Sequence, residues 1–167
     1  IIHAYDEPAH AERGLGAARA YSKIAPGAAH AQHMTTHIFL AMGMWDDVVT
    51  QNEIASGHNH EQWTANHYTL WLNYAYLQQG KHDEAIALLD PAQAGAFAAL
   101  YHDIRGDAFA AKGDTAAAKR EFEAALAAGD DALGVDRAFI ELKRDATPLA
   151  AAATPPAPAA TAAPETA

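Results

Sequence analysis

Cysteine and long hydrophobic runs are both missing from this chain of 167 residues. The absence of cysteine excludes disulfide bonds, thiolate metal ligands and a cysteine nucleophile. No run approaches the roughly 18 apolar residues that a membrane span needs. The chain also lacks a nucleophile paired with a base and a glycine loop of the kind that holds phosphate. The sequence therefore favours a binding protein over an enzyme.

Positive charge is scarce along the chain. There are 11 lysines and arginines against 21 aspartates and glutamates, which gives a formal net charge of −10. The basic residues never cluster beyond the pairs Lys119-Arg120 and Lys143-Arg144. A basic stripe that could neutralise phosphates is therefore missing, and nucleic acid is not an expected partner.

What the chain does have is an internal repeat. Glycine precedes a helix-starting segment three times, at Gly43, Gly80 and Gly113. The spacings are 37 and 33 residues, and each glycine is followed twelve positions later by an alanine. Self-similarity at this period is typical of stacked helix pairs. The sequence therefore predicts an all-α architecture of repeated helix-turn-helix units.

The repeat unit resembles the tetratricopeptide repeat (TPR), a helix-turn-helix of about 34 residues. The third complete unit carries six residues in family positions: Gly106, Phe109, Gly113, Ala118, Phe122 and Ala125. In the first complete unit, Asn52 stands where the family has an aromatic residue. The resemblance implies an all-α, right-handed α-solenoid with repeats at about 1–28, 29–65, 66–98 and 99–132, closed by a capping helix at 133–145.

Part of the sequence is also similar to a narrower group of bacterial TPR proteins. Segments 2–6, 24–26, 30–39 and 43–45 carry this likeness and read IHAYD, IAP, HAQHMTTHIF and GMW. The likeness implies no particular activity. The bacterial cytoplasm and the periplasm would both suit such a chain.

The two ends of the chain differ from the repeats. The opening residues fit the end of a helix A, so we expect a preceding part of the solenoid to be missing and the next helix to start at Asp6-Glu7-Pro8. Residues 146–167 are almost wholly Ala, Pro and Thr and should form a disordered tail. Before that tail, four residues share roughly one helical face that we expect to cover the last repeat: Leu133, Ala138, Phe139 and Leu142.

In the TPR family, helix A lines a concave groove. Among the side chains that the resemblance places there are His67, Trp71, Tyr74, Asp103 and Asp107. The groove positions carry no lysine or arginine, which disfavours a site for the C-terminal carboxylates of chaperones. The two aromatic side chains suit either a rigid ligand platform or inter-repeat core. The first hypothesis is a scaffold that binds a peptide or partner protein in an acidic, histidine-rich groove.

Histidines cluster at the groove positions of one repeat. His30, His33 and His37 lie at i, i+3 and i+7 on one predicted helix face. Ile38 and Phe39 mark the core-facing side of the same helix, so the histidines need not be buried against apolar side chains. Packing then does not account for all three, and a shared ligand would.

A divalent metal such as zinc is the alternative ligand. Stacking of adjacent repeats would add one imidazole and one carboxylate from the preceding helix A, which completes a His/Asp cage. The candidate metal ligands are His3, Asp6, His30, His33 and His37. An open coordination position on the ion could activate water, with Glu7 or Asp6 as a base. The two hypotheses differ in one structural respect, because a metal site requires these side chains to converge and a peptide groove leaves them splayed.

Overall fold

The computed structural model describes residues 2–58, 62–128 and 134–148, and gives only the backbone for 62–66. Within these ranges the chain is helical and contains no strand. The helices are α1 (Ala11–Ile24), α2 (Ala29–Ala41), α3 (Trp45–Gly57), α4 (Gln62–Gln78), α5 (His82–Leu88), α6 (Ala98–Lys112), α7 (Thr115–Ala127) and α8 (Arg137–Ala146). Short 3-10 turns cover Ile2–Ala4, Pro91–Gln93 and Gly95–Phe97.

Each helix packs against the next one along the chain. The pairs α2/α3, α4/α5 and α6/α7 correspond to helix A and helix B of the three complete repeats that the sequence predicts. This architecture confirms the predicted all-α helical-repeat fold. The right-handed sense of the solenoid stays a prediction.

Glycine ends helix A in all three complete repeats. Gly43, Gly80 and Gly113 have φ values of +68°, +70° and +83°. This left-handed conformation carries a steric penalty for any residue with a Cβ atom, and glycine is free of that penalty. The repeated glycines seen in the sequence are therefore the residues that turn the chain from helix A into helix B.

Two other glycines allow helices to approach closely. A Cβ atom on Gly106 of α6 would lie 2.4 Å from the ring of Phe122 on α7. On Gly14 of α1 it would lie 2.6 Å from the side chain of Ile38 on α2. Neighbouring side chains therefore occupy the space that a larger residue would need at either glycine. These neighbours, Ile38 and Phe122, are both almost fully buried.

Helix α2 lies at the centre of the larger core. Its apolar residues Ile38 and Phe39 pack in one cluster with Val48 of α3 and Leu72 of α4. Its polar residues are buried as well, and the hydroxyl of Thr36 donates to the His33 carbonyl at 2.6 Å. The packing of α2 against α1, α3 and the 3-10 turn at the start of the chain buries His33 and partly buries His37, while His30 is exposed.

The two ends of the fold depart from the sequence-based expectations. Residues Ile2–Ala4 form a 3-10 turn, and α1 begins at Ala11, later than Asp6-Glu7-Pro8. At the other end, α8 buries Ile140, while Phe139 is 54% exposed and Leu142 is 62% exposed. Our prediction of the face that covers the last repeat was therefore wrong.

The physical reason for the change of face is the polar contacts of α8. The Asp136 side chain caps its start by accepting from the Phe139 amide, and Lys143 pairs with Asp103 and Asp107 of α6. These contacts turn Ile140 towards α7. Leu133 and the predicted tail from residue 149 onwards lie outside the described residues.

Candidate metal centre in the histidine cluster

Three segments of the chain bring the clustered side chains together. Helix α2 supplies His33 and His37, which are four residues apart and so share one helix face. Helix α4 supplies His67. The turn before α1 supplies His3 and the neighbouring Asp6. The cluster therefore spans two repeats and the start of the described chain.

His33 is the buried member of the cluster, with 1% of its surface exposed. Its Nδ1 lies 2.9 Å from Oδ1 of Asn52, and its Nε2 lies 2.9 Å from Nε2 of His67. An amide oxygen can only accept, so Nδ1 of His33 carries the proton and donates it. Nε2 of His33 therefore presents a lone pair towards His67.

The cluster favours neutral imidazoles. The pKa of His33 is lowered to about 4, chiefly by burial, and the neighbouring His67, His37 and His30 contribute to this lowering against the opposing effect of Asn52. The pKa values of His37 and His67 are also lowered, in both cases chiefly by desolvation. At neutral pH the three rings are thus in the uncharged state that binds a metal ion.

Asp6 orients the outer side of the cluster. Its Oδ2 lies 2.9 Å from Nδ1 of His3 and 3.3 Å from Nδ1 of His37. The hydrogen bond from His3 holds the pKa of Asp6 below its usual value, so the carboxylate is ionised. Because Nδ1 of His37 faces Asp6, Nε2 of His37 is the nitrogen left for a ligand.

Two groups of ligand atoms result, and they share one residue. The inner group consists of His33, His37 and His67, and the outer group consists of His3, Asp6 and His37. Within each group the ligand atoms all lie within 4.8 Å of one another. Metal–ligand bonds of about 2.1 Å place neighbouring ligand atoms roughly 3.0–3.4 Å apart in octahedral or tetrahedral sites. The separation of 2.9 Å in the inner group and those of 2.9 and 3.3 Å in the outer group are close to that range, and the remaining separations are at most 4.8 Å.

Aromatic rings form the wall of the inner group. The Trp71 ring centroid lies 4.4 Å from that of His37 and 5.1 Å from that of His33. The Tyr68 ring lies 4.5 Å from His33. These rings keep water from one side of the group, which strengthens electrostatic interactions with a bound cation.

His30 takes a different place from the other histidines. Its ring centroid lies 6.5 Å from that of His33, and it belongs to neither group of ligand atoms. It lines a cavity of about 580 Å³ together with His3. The rest of the wall is apolar and comprises Ile2, Ala17, Ala20, Tyr21, Ile24 and Met34. The cavity therefore adjoins the outer group through His3.

The predicted groove residues lie in three different environments. His67 and Trp71 belong to the histidine cluster. Tyr74 is 46% exposed, and its ring lies 5.9 Å from that of Trp45. Asp103 and Asp107 both pair with Lys143 of α8, so a lysine from another helix lies against these two acidic groove positions.

Sequence reasoning missed several features of the site. The expectation that the histidines of α2 need not be buried against apolar side chains was wrong for His33, because α2 is enclosed by its neighbours. Glu7 pairs with His10 and accepts from the Ala9 amide, so it is engaged outside the cluster. Asn52 was not expected at the site, although its place at an aromatic position of the repeat was a signal that pointed to it.

Comparison with known protein families gives a match to the repeat region. Residues 11–148 match a family described as a tetratricopeptide repeat-like domain. The comparison with curated proteins found no match, and neither did the comparison with solved structures. In the described part of the chain, no helix has the length and apolar character needed to cross a membrane. The match covers most of the chain, and the chain therefore belongs to the tetratricopeptide repeat-like domain family.

Proposed function

We propose that this TPR-like helical scaffold holds a divalent metal ion at His33, His37 and His67. One observation carries the proposal: each of the two α2 histidines has one ring nitrogen facing a polar partner outside the inner group and the other available to the inner group. Asn52 holds His33 at 2.9 Å, and Asp6 holds His37 at 3.3 Å. Histidines that bind metals have this arrangement, since the outer hydrogen bond fixes the tautomer and the ring orientation.

The donor set favours particular ions. Three imidazole nitrogens suit zinc, copper(II) or nickel(II), while magnesium and calcium prefer oxygen ligands. Zinc held by three protein ligands keeps a fourth position for water or another ligand. When bound there, zinc would lower the pKa of that water and act as a Lewis acid. The protein residues would hold the ion, exclude bulk water through Trp71 and keep His33 neutral.

Metal content of the untagged protein tests the proposal. We expect at least one zinc ion per chain by mass spectrometry after dialysis against excess zinc and removal of the free ion. The double variant His33→Ala/His37→Ala should lose it. His58→Ala removes an exposed histidine from the end of α3 and should bind zinc like the wild type. A wild-type protein without bound zinc, folded by circular dichroism, would refute the metal centre.

A second candidate function is the binding of a peptide or partner protein, for which helical repeats of this kind are commonly used. The supporting observation is the exposed Tyr74 next to Trp45, which offers an aromatic surface on the repeats. Screening a displayed peptide library against the wild type and Tyr74→Ala tests it. Selected peptides should bind the variant at least tenfold more weakly. Equal binding to both proteins would count against this surface.

A further inference from the structure

We propose that His37 bridges two metal ions, one in the inner group and one in the outer group. This inference rests on the proposed metal centre and extends it. The second ion would be held by His3, Asp6 and the Nδ1 atom of His37, while Nε2 of His37 serves the first ion. The shared residue would make the two groups one dinuclear site.

The geometry of the outer group supports a second ion. Oδ2 of Asp6 lies 2.9 Å from Nδ1 of His3 and 3.3 Å from Nδ1 of His37. The His3 and His37 rings stand edge to face, with centroids 5.1 Å apart and planes at 77°. Two imidazole nitrogens and a carboxylate oxygen thus converge without the help of any other described side chain.

The bridging role follows from the two nitrogens of one ring. A neutral His37 carries one proton, on the Nδ1 atom that faces Asp6. When the second metal–nitrogen bond forms, that proton leaves to solvent and the ring becomes an imidazolate. The negative charges of the imidazolate and Asp6 then balance the two positive charges of the added ion. With bonds of about 2.1 Å on both sides of the ring, the two ions lie roughly 6 Å apart.

Access also differs between the two groups. Each group has one exposed histidine, His67 in the inner group and His3 in the outer group, but of these two only His3, whose side chain is 68% exposed, lines the 580 Å³ cavity. An ion in the outer group would therefore be the one that meets ligands from the cavity. The cavity wall is mostly apolar, so such a ligand would combine an apolar body with a metal-binding head group.

Zinc stoichiometry by native mass spectrometry tests the second ion. We expect two ions on the wild type and one on each of Asp6→Asn and His3→Ala. Glu7→Gln changes the adjacent exposed carboxylate, which pairs with His10, and should keep two. One ion on the wild type and one on Asp6→Asn would overturn the bridge and leave the inner centre standing. No ion on any protein would refute both proposals.

Copper(II) loading tests the bridge itself. An imidazolate between two copper(II) ions couples their unpaired spins, so the integrated electron paramagnetic resonance signal of the fully loaded wild type should fall well below two spins per chain. Asp6→Asn should show one uncoupled spin per chain. Two bound copper ions with two full, independent spins would overturn the bridging role of His37.

Discussion

At the scale of single residues, Asn52 affects both the stability of the fold and the hydrogen bonding of the histidine cluster. Its Oδ1 accepts from His33, while among the described residues its Nδ2 has no hydrogen-bond partner. A buried polar group left unpaired costs about 1–3 kcal/mol. An apolar residue at this position would avoid that cost, which indicates that the asparagine serves the histidine rather than the core.

We predict that Asn52→Leu weakens zinc binding about 10–100-fold, because His33 loses the partner that orients its ring. Its effect on the free energy of unfolding should be small, since the lost hydrogen bond and the removed unpaired amide oppose each other. Isothermal titration calorimetry and urea unfolding measure the two quantities. Asn73→Leu is the matched control, because Asn73 is also buried but donates to the Ala85 carbonyl. That variant should lose stability and keep its zinc affinity, and the reverse pattern would contradict the role given to Asn52.

A second prediction at this scale concerns pH. The pKa of His33 is about 4 in the folded protein and about 6.5 when unfolded. Between these values the unfolded chain binds a proton that the folded chain does not, so stability is full above pH 6.5 and falls as the pH drops towards 4. Over this pH range, the free energy of unfolding lost because of His33 alone is on the order of 3 kcal/mol. The lowered pKa values of His37 and His67 act in the same direction.

Urea unfolding in the presence of EDTA at pH 7.0, 5.5 and 4.5 measures this dependence without the metal. The free energy of unfolding of the wild type should fall across the series more steeply than that of His33→Gln. Parallel curves for the two proteins would show that His33 does not titrate as its burial indicates.

At the scale of helices, close packing within a repeat depends on Gly106. We predict that Gly106→Ala lowers the free energy of unfolding by about 1–3 kcal/mol, because its Cβ would overlap the ring of Phe122 and separate α6 from α7. Gly16→Ala is the control, since nothing lies within 4 Å of a Cβ there. That change should stabilise α1 by up to about 1 kcal/mol through helix propensity. Thermal and urea unfolding distinguish the two signs, and destabilisation by both variants would argue against the specific overlap.

At the scale of the whole molecule, the cluster joins parts of the chain that are distant in sequence. The inner group links α2 to α4 across two repeats, and the outer group links α2 to the turn before α1. Both links lie between neighbouring units, and the stability of a repeat protein depends on such nearest-neighbour interfaces. A bound ion would therefore act on the cooperativity of the stack as well as on a local site.

We predict that zinc at about 100 times its dissociation constant raises the free energy of unfolding by about 3 kcal/mol, and that EDTA reverses the change. Calorimetry with and without each reagent measures the melting temperature that checks this prediction. His33→Ala/His37→Ala should melt at one temperature under both conditions. If the melting temperature of the wild type changes with neither zinc nor EDTA, the result would be inconsistent with a metal that binds the folded protein.

Much of the fold could be predicted because it depends on local chemistry. The period of the glycines and alanines places the helix pairs, and the left-handed φ values of Gly43, Gly80 and Gly113 explain why those residues recur. The ends were harder to predict. The buried face of α8 depends on the Asp136 cap and on the pairing of Lys143 with α6, and neither contact is visible in the hydrophobic pattern.

The candidate site, like the fold, could be predicted from the sequence only in part. The spacing of His33 and His37 by itself determined that both imidazoles share a helix face, because helical geometry requires it. Only the tertiary structure decided that His67, rather than His30, joins them and that Asp6 stands within reach of His37. The reason is physical: ligand geometry depends on how α2, α4 and the first turn pack, and a difference of a few ångströms separates a ligand from a neighbour. Sequence spacing controls positions along one helix, and packing between helices controls which side chains meet.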